Sequence, residues 1–420
     1  MNINIKKSYI SLFNLFYIFV RIVWQPFQVH LLKADGAGRT IVFLSILAVL
    51  LNLREFWRQR KIFLTPAFLC WVALLAFSMW NAFSKGFYSE WGTFAFLKAR
   101  FFHPFILLVI AMLELNKDKQ TCLKVILVAL GVYLLIGLLF MDKDLDDRLM
   151  AEGLGNLYPL HAVAFLFVSA ILYVEEKMEM WLLVVLTIGI SAIIVVSQTR
   201  KAFGAEVILL VGIILSAKEK RTWKNWITII VSGILLIIGI EYIVNNTDLG
   251  SRLNQGQDED FYVQLVENER LNSAYMSLLG DRAVQYEMAL ELHHEYFWTG
   301  IGLMNYMDMS GGELVLHSEY MVQLCENGTI GFVLLMLFYV LTIIALIKNK
   351  KNMGSKAFRM VLFGLAAVLF INFTAWTYNA NYVMIIYAII LTYAYSKPNH
   401  VFQEKSELQI DKENKEFSVE

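Results

Sequence analysis

The chain has 420 residues, 58% of them apolar and only 17% charged, and its formal net charge is zero. A soluble domain carries about 45–50% apolar and about 25% charged residues, so this composition argues against one. Five prolines and 24 glycines do not make a fibrous or disordered chain, and a zero net charge leaves no basic field to recruit nucleic acid.

In chain order, Lys6 and Lys7 precede an apolar stretch at 9–27. No small-residue cleavage site follows, so the stretch reads as a first membrane anchor and not as a removed signal peptide. A bilayer core takes about 20 mostly apolar residues per helix. On that measure further spans lie at 40–53, 62–83, 101–115, 121–140, 157–174, 180–198, 202–216, 225–243, 329–347, 358–375 and 378–396. The stretch 181–216 is too long for one span, and the polar string Ser197-Gln198-Thr199-Arg200-Lys201 splits it into two helices joined by a tight turn. The cysteines are Cys70, Cys122 and Cys325, with no CxxC among them, and a disulfide framework is not expected.

Lysine and arginine in short loops set the orientation. One basic loop holds Arg54, Arg58, Arg60 and Lys61, a second Lys218, Lys220, Arg221 and Lys224, and a third Lys348, Lys350, Lys351 and Lys356. With about twelve spans, all three share a side with Lys6 and Lys7, and that side is expected to be cytoplasmic. Both termini then lie inside, and the turn at Thr199–Lys201 and the loop 244–328 lie outside. The expected organisation is a bundle of nine spans over 1–243, an extracytoplasmic loop over 244–328, three spans over 329–397 and a polar cytoplasmic tail over 398–420.

The large loop has no lysine and three arginines: Arg252, Arg270 and Arg282. Its first part, Ser251–Asp260, is polar and reads as irregular. Two amphipathic helices follow, the second running from an N-cap at Asp281 toward Tyr296 with Val284, Met288 and Leu292 as its apolar stripe. After Gly300-Ile301-Gly302 and Gly311-Gly312, a short helix is expected from His317-Ser318 to a C-cap at Asn327-Gly328. His317 should therefore sit just above the bilayer.

Several residues could carry chemistry. Arg200, beside Lys201 at a span end, reads as an interface anchor or as an anion site, because a guanidinium offers phosphate a planar fork of donors. Arg282 falls in a first helical turn, where the dipole disfavours positive charge, which leaves a surface arginine or a functional one. His317 is a structural histidine or a general base. His293 and His294 are adjacent and lack the i, i+4 spacing of a zinc helix, so no metal site is expected. Gly300-x-Gly302 does not open a helix after a strand, so no dinucleotide site is supported. Lys98, Arg100, His103 and Glu206 lie within or beside spans, where charge is costly. The first three could line one cavity with Arg200 and Lys201, or they pair structurally.

Taken in order, these features resemble the O-antigen ligase and O-antigen polymerase superfamily of bacterial surface-polysaccharide enzymes. The resemblance covers roughly 148–338 and rests on four elements. Gln198-Thr199-Arg200-Lys201-Ala202 is similar to the family's Ser-Arg turn. Arg282 with its helix, followed by Trp298-Thr299-Gly300-Ile301-Gly302, is similar to the family's arginine, amphipathic helix and Gly-x-Gly element. His317-Ser318-Glu319-Tyr320 is similar to its His-Asn helix. Leu324-Cys325-Glu326-Asn327-Gly328-Thr329-Ile330-Gly331 is similar to its Glu-x-Gly-x-x-Gly re-entry. Ser318 stands where asparagine is common and Thr199 where serine is common, and the usual proline before Gly-x-Gly is missing.

The resemblance implies an all-α polytopic membrane protein of GT-C-like architecture with one large extracytoplasmic helical loop. It implies a glycosyltransferase of the bacterial inner membrane that polymerises undecaprenyl-pyrophosphate-linked repeat units into O-antigen, capsule or exopolysaccharide. A ligase passing the glycan to a lipid A core is the alternative within the family, and a lipid-glycan transporter or flippase is the alternative outside it. The implied partners are the lipid-linked donor, a glycan or lipid A core acceptor, the bilayer, a flippase and a chain-length regulator. The implied roles are base for His317 and pyrophosphate binding for Arg200 and Arg282, with Arg100 and Lys201 lining the cavity. No cofactor and no metal is implied.

Overall fold

The computed structural model describes residues 2–28, 38–86, 102–143, 149–151, 154, 157–216, 223–247, 249, 282–310, 316–375 and 380–395. Expectations for Lys98, Arg100, Ser251–Asp260, the first loop helix, Gly311-Gly312 and the tail lie outside these residues.

Long helices occupy each apolar stretch expected to span. They are α1 (Asn2–Pro26), α2 (Gly38–Arg58), α4 (Pro66–Lys85), α5 (His103–Lys117), α6 (Lys119–Leu139), α7 (Leu157–Val174), α8 (Met180–Val196), α9 (Arg200–Ser216), α10 (Trp223–Asn246), α14 (Gly328–Met353), α15 (Ser355–Thr374) and α16 (Asn381–Tyr395). Among the described residues six of them, α2, α4, α6, α7, α14 and α15, are long and apolar enough to cross a membrane by length and composition. Shorter elements join them: α3 (Arg60–Phe63), α11 (Arg282–Glu295), α12 (Asn305–Met309), α13 (Glu319–Glu326), and a hairpin of β1 (Met141–Lys143) with β2 (Leu149–Ala151). The antiparallel hairpin, with Met141 opposite Ala151, is a small departure from an all-helical reading.

Two kinds of apolar helix are present. In α7 and α16 nearly every side chain from Tyr158 to Leu172 and from Tyr382 to Ala394 is buried, so these helices form the centre of the bundle. On α14 the stripe Ile330, Val333, Leu337, Val340, Ile344 and Ile347 is exposed, and on α8 so are Trp181, Val185 and Ile188. A contiguous apolar surface repeated at helical spacing has no place in water, and with the long apolar helices it makes the chain an α-helical membrane protein.

The bundle has two distinct ends. At one, Asn116 Nδ2 donates to Gln59 Oε1 at 2.9 Å, Lys119 pairs with Glu175 at 2.7 Å, and Lys356 lies 3.6 Å from Glu176. Asn349 Nδ2 donates to the Tyr393 carbonyl there at 2.7 Å. The basic loops around Arg58–Lys61 and Lys348–Lys356 thus share one end, as their expected common side requires. Glu114, close to that end, accepts from Ser11 Oγ, from Asn14 Nδ2 at 2.6 Å and from Lys117 Nζ at 2.7 Å. Asn14 and Asn52 bond each other reciprocally at 2.9 and 2.6 Å. This buried network has a partner for its carboxylate and both its amides, and it joins α1, α2 and α5.

Candidate functional site

The opposite end carries the loop elements, which have a small apolar core of their own. Tyr286 and Ala289 of α11 pack with Ile301, Tyr306, Leu316, Val322 and Cys325. The buried face of α11 is therefore centred on Tyr286 and Ala289, and Met288 and Leu292 lie at its edge. The expected stripe is rotated because α11 meets α13 and the chain around Ile301 together, not a flat membrane surface. Tyr306 Oη donates to the Gln285 carbonyl at 3.0 Å and so ties α12, which Met304 precedes with φ +67°, to α11. Burial pushes the Tyr306 hydroxyl up to about 12. Burial, with Glu326 alongside, also lifts the Cys325 thiol well above its ordinary range, so this cysteine is packing and not a nucleophile. All three cysteines are unpaired.

Backbone bonds lock this unit to the bundle. Ile301 N donates to Cys325 O at 3.0 Å, Gly302 N to Glu326 O at 2.9 Å, Thr329 N to Phe297 O at 2.9 Å and Ile330 N to Trp298 O at 3.2 Å. The two segments approach so closely because Gly300 and Gly328, at φ +66° and +64°, leave no Cβ between them. From α4, Asn81 Nδ2 donates to Thr299 O at 2.7 Å and to Glu326 O at 2.8 Å, and Lys85 Nζ donates to Gly300 O.

The short helix expected from His317-Ser318 to Asn327-Gly328 is α13. Ser318 caps it, accepting from Met321 N at 3.5 Å, and Asn327 ends it. Its buried face is polar. Asn327 Nδ2 donates to Gln323 Oε1 and Gln323 Nε2 to Glu319 Oε1, both at 2.9 Å, while Asn81 Nδ2 lies 3.4 Å from Asn327 Oδ1. The result is a buried row of donors and acceptors that starts on α4 and ends on the Glu319 carboxylate.

His317, half-buried between buried Leu316 and Ser318, directly precedes this helix. Its neighbours are bonded to the end of α15: Glu319 N donates to Ala375 O at 3.2 Å, and Ser318 Oγ to Asn372 O at 3.4 Å. Arg200 is exposed and Lys201 half-buried in the first turn of α9, after a turn in which Gln198 takes φ +50°. Helix α9 packs antiparallel on α15, with Gly204 against Phe370 and Gly212 against Phe363. One turn of helix, about 6 Å, carries the chain from Gly204 back to Arg200 and likewise from Phe370 on to Thr374. The first turn of α9 and the His317 segment therefore meet the same end of α15. Arg282 opens α11 as expected, and its side chain lies outside the described residues.

His103 and Glu206 do not join this group. His103 is buried, with Nδ1 3.0 Å from Ser45 Oγ, which in turn lies 3.1 Å from Tyr17 Oη. Glu206 is buried and accepts from Ser191 Oγ on α8. Both take the structural pairing that was the alternative for them. Among the described residues no three His, Cys, Asp or Glu side chains are grouped as for a metal ion.

The sequence reading missed two things. Asn81 is an ordinary amide inside an apolar run, and only its partners on the far loop reveal its role. The other is a buried set of rings on three helices: His161 stacks on Tyr133 at 3.9 Å between ring centroids and meets Tyr382 edge-on at 5.2 Å. A histidine inside an apolar span was the available signal. Arg21 on α1 is buried as well, at 9% exposed.

No family model matches the chain, and no curated protein matches it.

Proposed function

We propose that the protein is a membrane glycosyltransferase that polymerises undecaprenyl-pyrophosphate-linked repeat units into a bacterial surface polysaccharide, with its transfer site at the end of the bundle opposite the basic loops. One observation carries the reading. The His317 segment is bonded to the end of α15, the helix on which α9 packs with its Arg200 end directed the same way. A base and a phosphate-binding fork on one rigid rim are what this transfer needs.

In the reaction an acceptor sugar hydroxyl attacks the anomeric carbon of the donor. The new C–O bond forms as the bond to the lipid pyrophosphate breaks. The hydroxyl proton passes to His317, which contributes roughly 10²–10⁴-fold as a general base. The negative charge that grows on the departing pyrophosphate is met by Arg200 and Arg282. The basic loops and both termini are on the cytoplasmic side, and the 244–328 loop faces outward, where such lipid-linked glycans are joined.

Deletion of the gene followed by glycan analysis tests this. Single repeats on the lipid core in place of polymer are the expected result. Lipid-linked polymer that fails to transfer would instead make the protein a ligase, and an unchanged glycan would remove the reading.

A further inference from the structure

The apolar surface of the bundle carries exposed tryptophan at both ends. Trp57 lies where the basic loop Arg58–Lys61 begins, with the Arg60 guanidinium carbon 4.7 Å from its ring centroid. Trp181 is in the first turn of α8, just after Glu175 and Glu176, which pair with Lys119 and Lys356 at that same end. Toward the opposite end α4 exposes Leu69, Ala73, Ala76, Trp80 and Phe83, one stripe at helical spacing that closes on two rings. Tryptophan is enriched at both membrane–water interfaces, where one side of the ring is apolar and its N–H is wet.

A further pair of rings belongs to the loop and not to a span. Phe297 and Trp298 are 45% and 65% exposed, with ring centroids 5.0 Å apart and planes at 88°. Their backbone is fixed to the head of α14: the Phe297 carbonyl accepts from Thr329 N at 2.9 Å and the Trp298 carbonyl from Ile330 N at 3.2 Å. Ile330 is the first residue of the exposed stripe on α14. At about 1.5 Å of rise per residue, Ile330 stands about 27 Å along α14 from Lys348, and a hydrocarbon core is about 30 Å thick. Lys348 opens the basic loop at one interface, so the Phe297–Trp298 corner stands at the height of the other. The end of α4 that bears Trp80 and Phe83 is beside it, since Asn81 Nδ2 reaches Thr299 O at 2.7 Å and Lys85 Nζ lies 5.3 Å from the Tyr296 ring centroid. On α11 itself the exposed residues before the corner include Glu291, His294 and Glu295, so a polar face gives way to the two rings.

We propose that the Phe297–Trp298 corner is a lipid-binding surface, seated in the membrane interface opposite the basic loops beside Trp80, Phe83 and Ile330. The occupant is phospholipid, because the surface is continuous with the exposed apolar stripes of α4 and α14 and lies at their interfacial ends. The loop is thus held on the bilayer at this corner and does not stand free in water. Ile301 N to Cys325 O and Gly302 N to Glu326 O join the following residues to α13, so the seat also sets the height of α13 over the membrane. The inference needs the bundle in a bilayer and not the transfer chemistry proposed above.

The test uses the full-length protein in vesicles of phosphatidylethanolamine and phosphatidylglycerol. Phe297, Trp298, Val333 and Glu291 are each replaced in turn by the photo-crosslinker p-benzoylphenylalanine, and the adducts are identified by mass spectrometry. Val333, on the exposed stripe of α14, is the standard for a lipid-facing position, and Glu291 the standard for a water-facing one. Phospholipid adducts are expected at 297 and 298 as at 333, and not at 291. A second measurement leaves the fold with a conservative change: the fluorescence that the protein loses in Trp298→Phe should be quenched by phospholipid brominated high on its acyl chains and not by aqueous iodide. Three results overturn the proposal: no lipid adduct at 297 and 298 with iodide-quenched Trp298 fluorescence, adducts there to a second copy of the chain, or equal lipid adducts at 291, which would lay all of α11 in the membrane. None of them bears on His317, which keeps its own test.

Discussion

Gly300 and Gly328 meet backbone to backbone: a Cβ on Gly300 would fall 2.5 Å from Gly328 N, and one on Gly328 would fall 2.5 Å from the Trp298 carbonyl. Both have positive φ, so the loop and the start of α14 can join only where neither residue has a side chain. Gly300→Ala and Gly328→Ala should each cost about 1–3 kcal/mol from strain alone, with the overlap adding to it. Thermal unfolding of the purified variants measures this. Melting unchanged in both would mean that the two segments do not dock as described.

Asn81 should be a stricter requirement than its place in an apolar helix suggests. Its amide donates to two carbonyls, Thr299 O and Glu326 O; Gly302 N still reaches the second, so Asn81→Ala strands the first at about 1–3 kcal/mol and removes one of two bonds to the other. Asn81→Asp should be worse still, because a carboxylate is isosteric but has no donor and would face carbonyl oxygens. Limited proteolysis of the 297–328 region reads the effect. If aspartate is tolerated better than alanine, the amide is not oriented as described.

Much of this arrangement could be read along the chain, because its determinants are local. The apolar stretches are helices, the polar string at Ser197–Lys201 breaks α8 from α9, and Ser318 and Asn327 bound α13. What could not be read depends on partners far away in sequence. Asn81 bonds residues some 218 and 245 positions onward. The rotated face of α11 follows from contacts with Ile301 and Cys325. His161 meets Tyr133 and Tyr382 only when α6, α7 and α16 pack, and no spacing rule joins residues so far apart in the chain.

Acid should loosen α11 from α13. Burial, reinforced by His294, holds His293 below the ordinary histidine range, against the opposing effect of a backbone bond with Leu324. A histidine whose folded pKa is depressed favours folding while neutral. Its contribution is complete above the unfolded value of about 6.5 and is lost as pH falls through the lower folded value. Protection factors over 282–295, exchange rates corrected for the pH dependence of the intrinsic rate, should therefore fall on acidification below about pH 6.5, and His293→Gln should flatten that dependence. Protection lost equally in the variant would assign the effect to another group.

Arg200 and Arg282 should be needed for polymer and not for folding. Arg200 is exposed at the start of α9, so Arg200→Ala should change stability little. Arg→Ala at either position should abolish polymer while the protein stays in the membrane at normal level. Arg→Lys keeps the charge but loses the bidentate fork, so it should restore only part of the activity. Normal polymer from both alanine variants would make the two residues interface anchors.

His317 is the most demanding prediction, because a half-buried histidine before a capped helix could equally be structural. The two roles separate in three measurements. A structural His317 would lower protein level or melting temperature on substitution by alanine. A base would leave both nearly unchanged, since Ser318 and Glu319 anchor the segment through Asn372 and Ala375. A base would also cost roughly 10²–10⁴-fold in turnover, far beyond what His294→Ala, an exposed neighbour on α11, should cost. The pH profile completes the separation. Loss of a base removes the acid limb of the rate, whereas loosening of α11 through His293 leaves that limb in place. The decisive comparison is therefore His317→Ala against His293→Gln in purified enzyme. The first should be slow with no acid limb, and the second near normal above neutrality. An acid limb that survives in His317→Ala with near-normal turnover would return this residue to the framework of the fold.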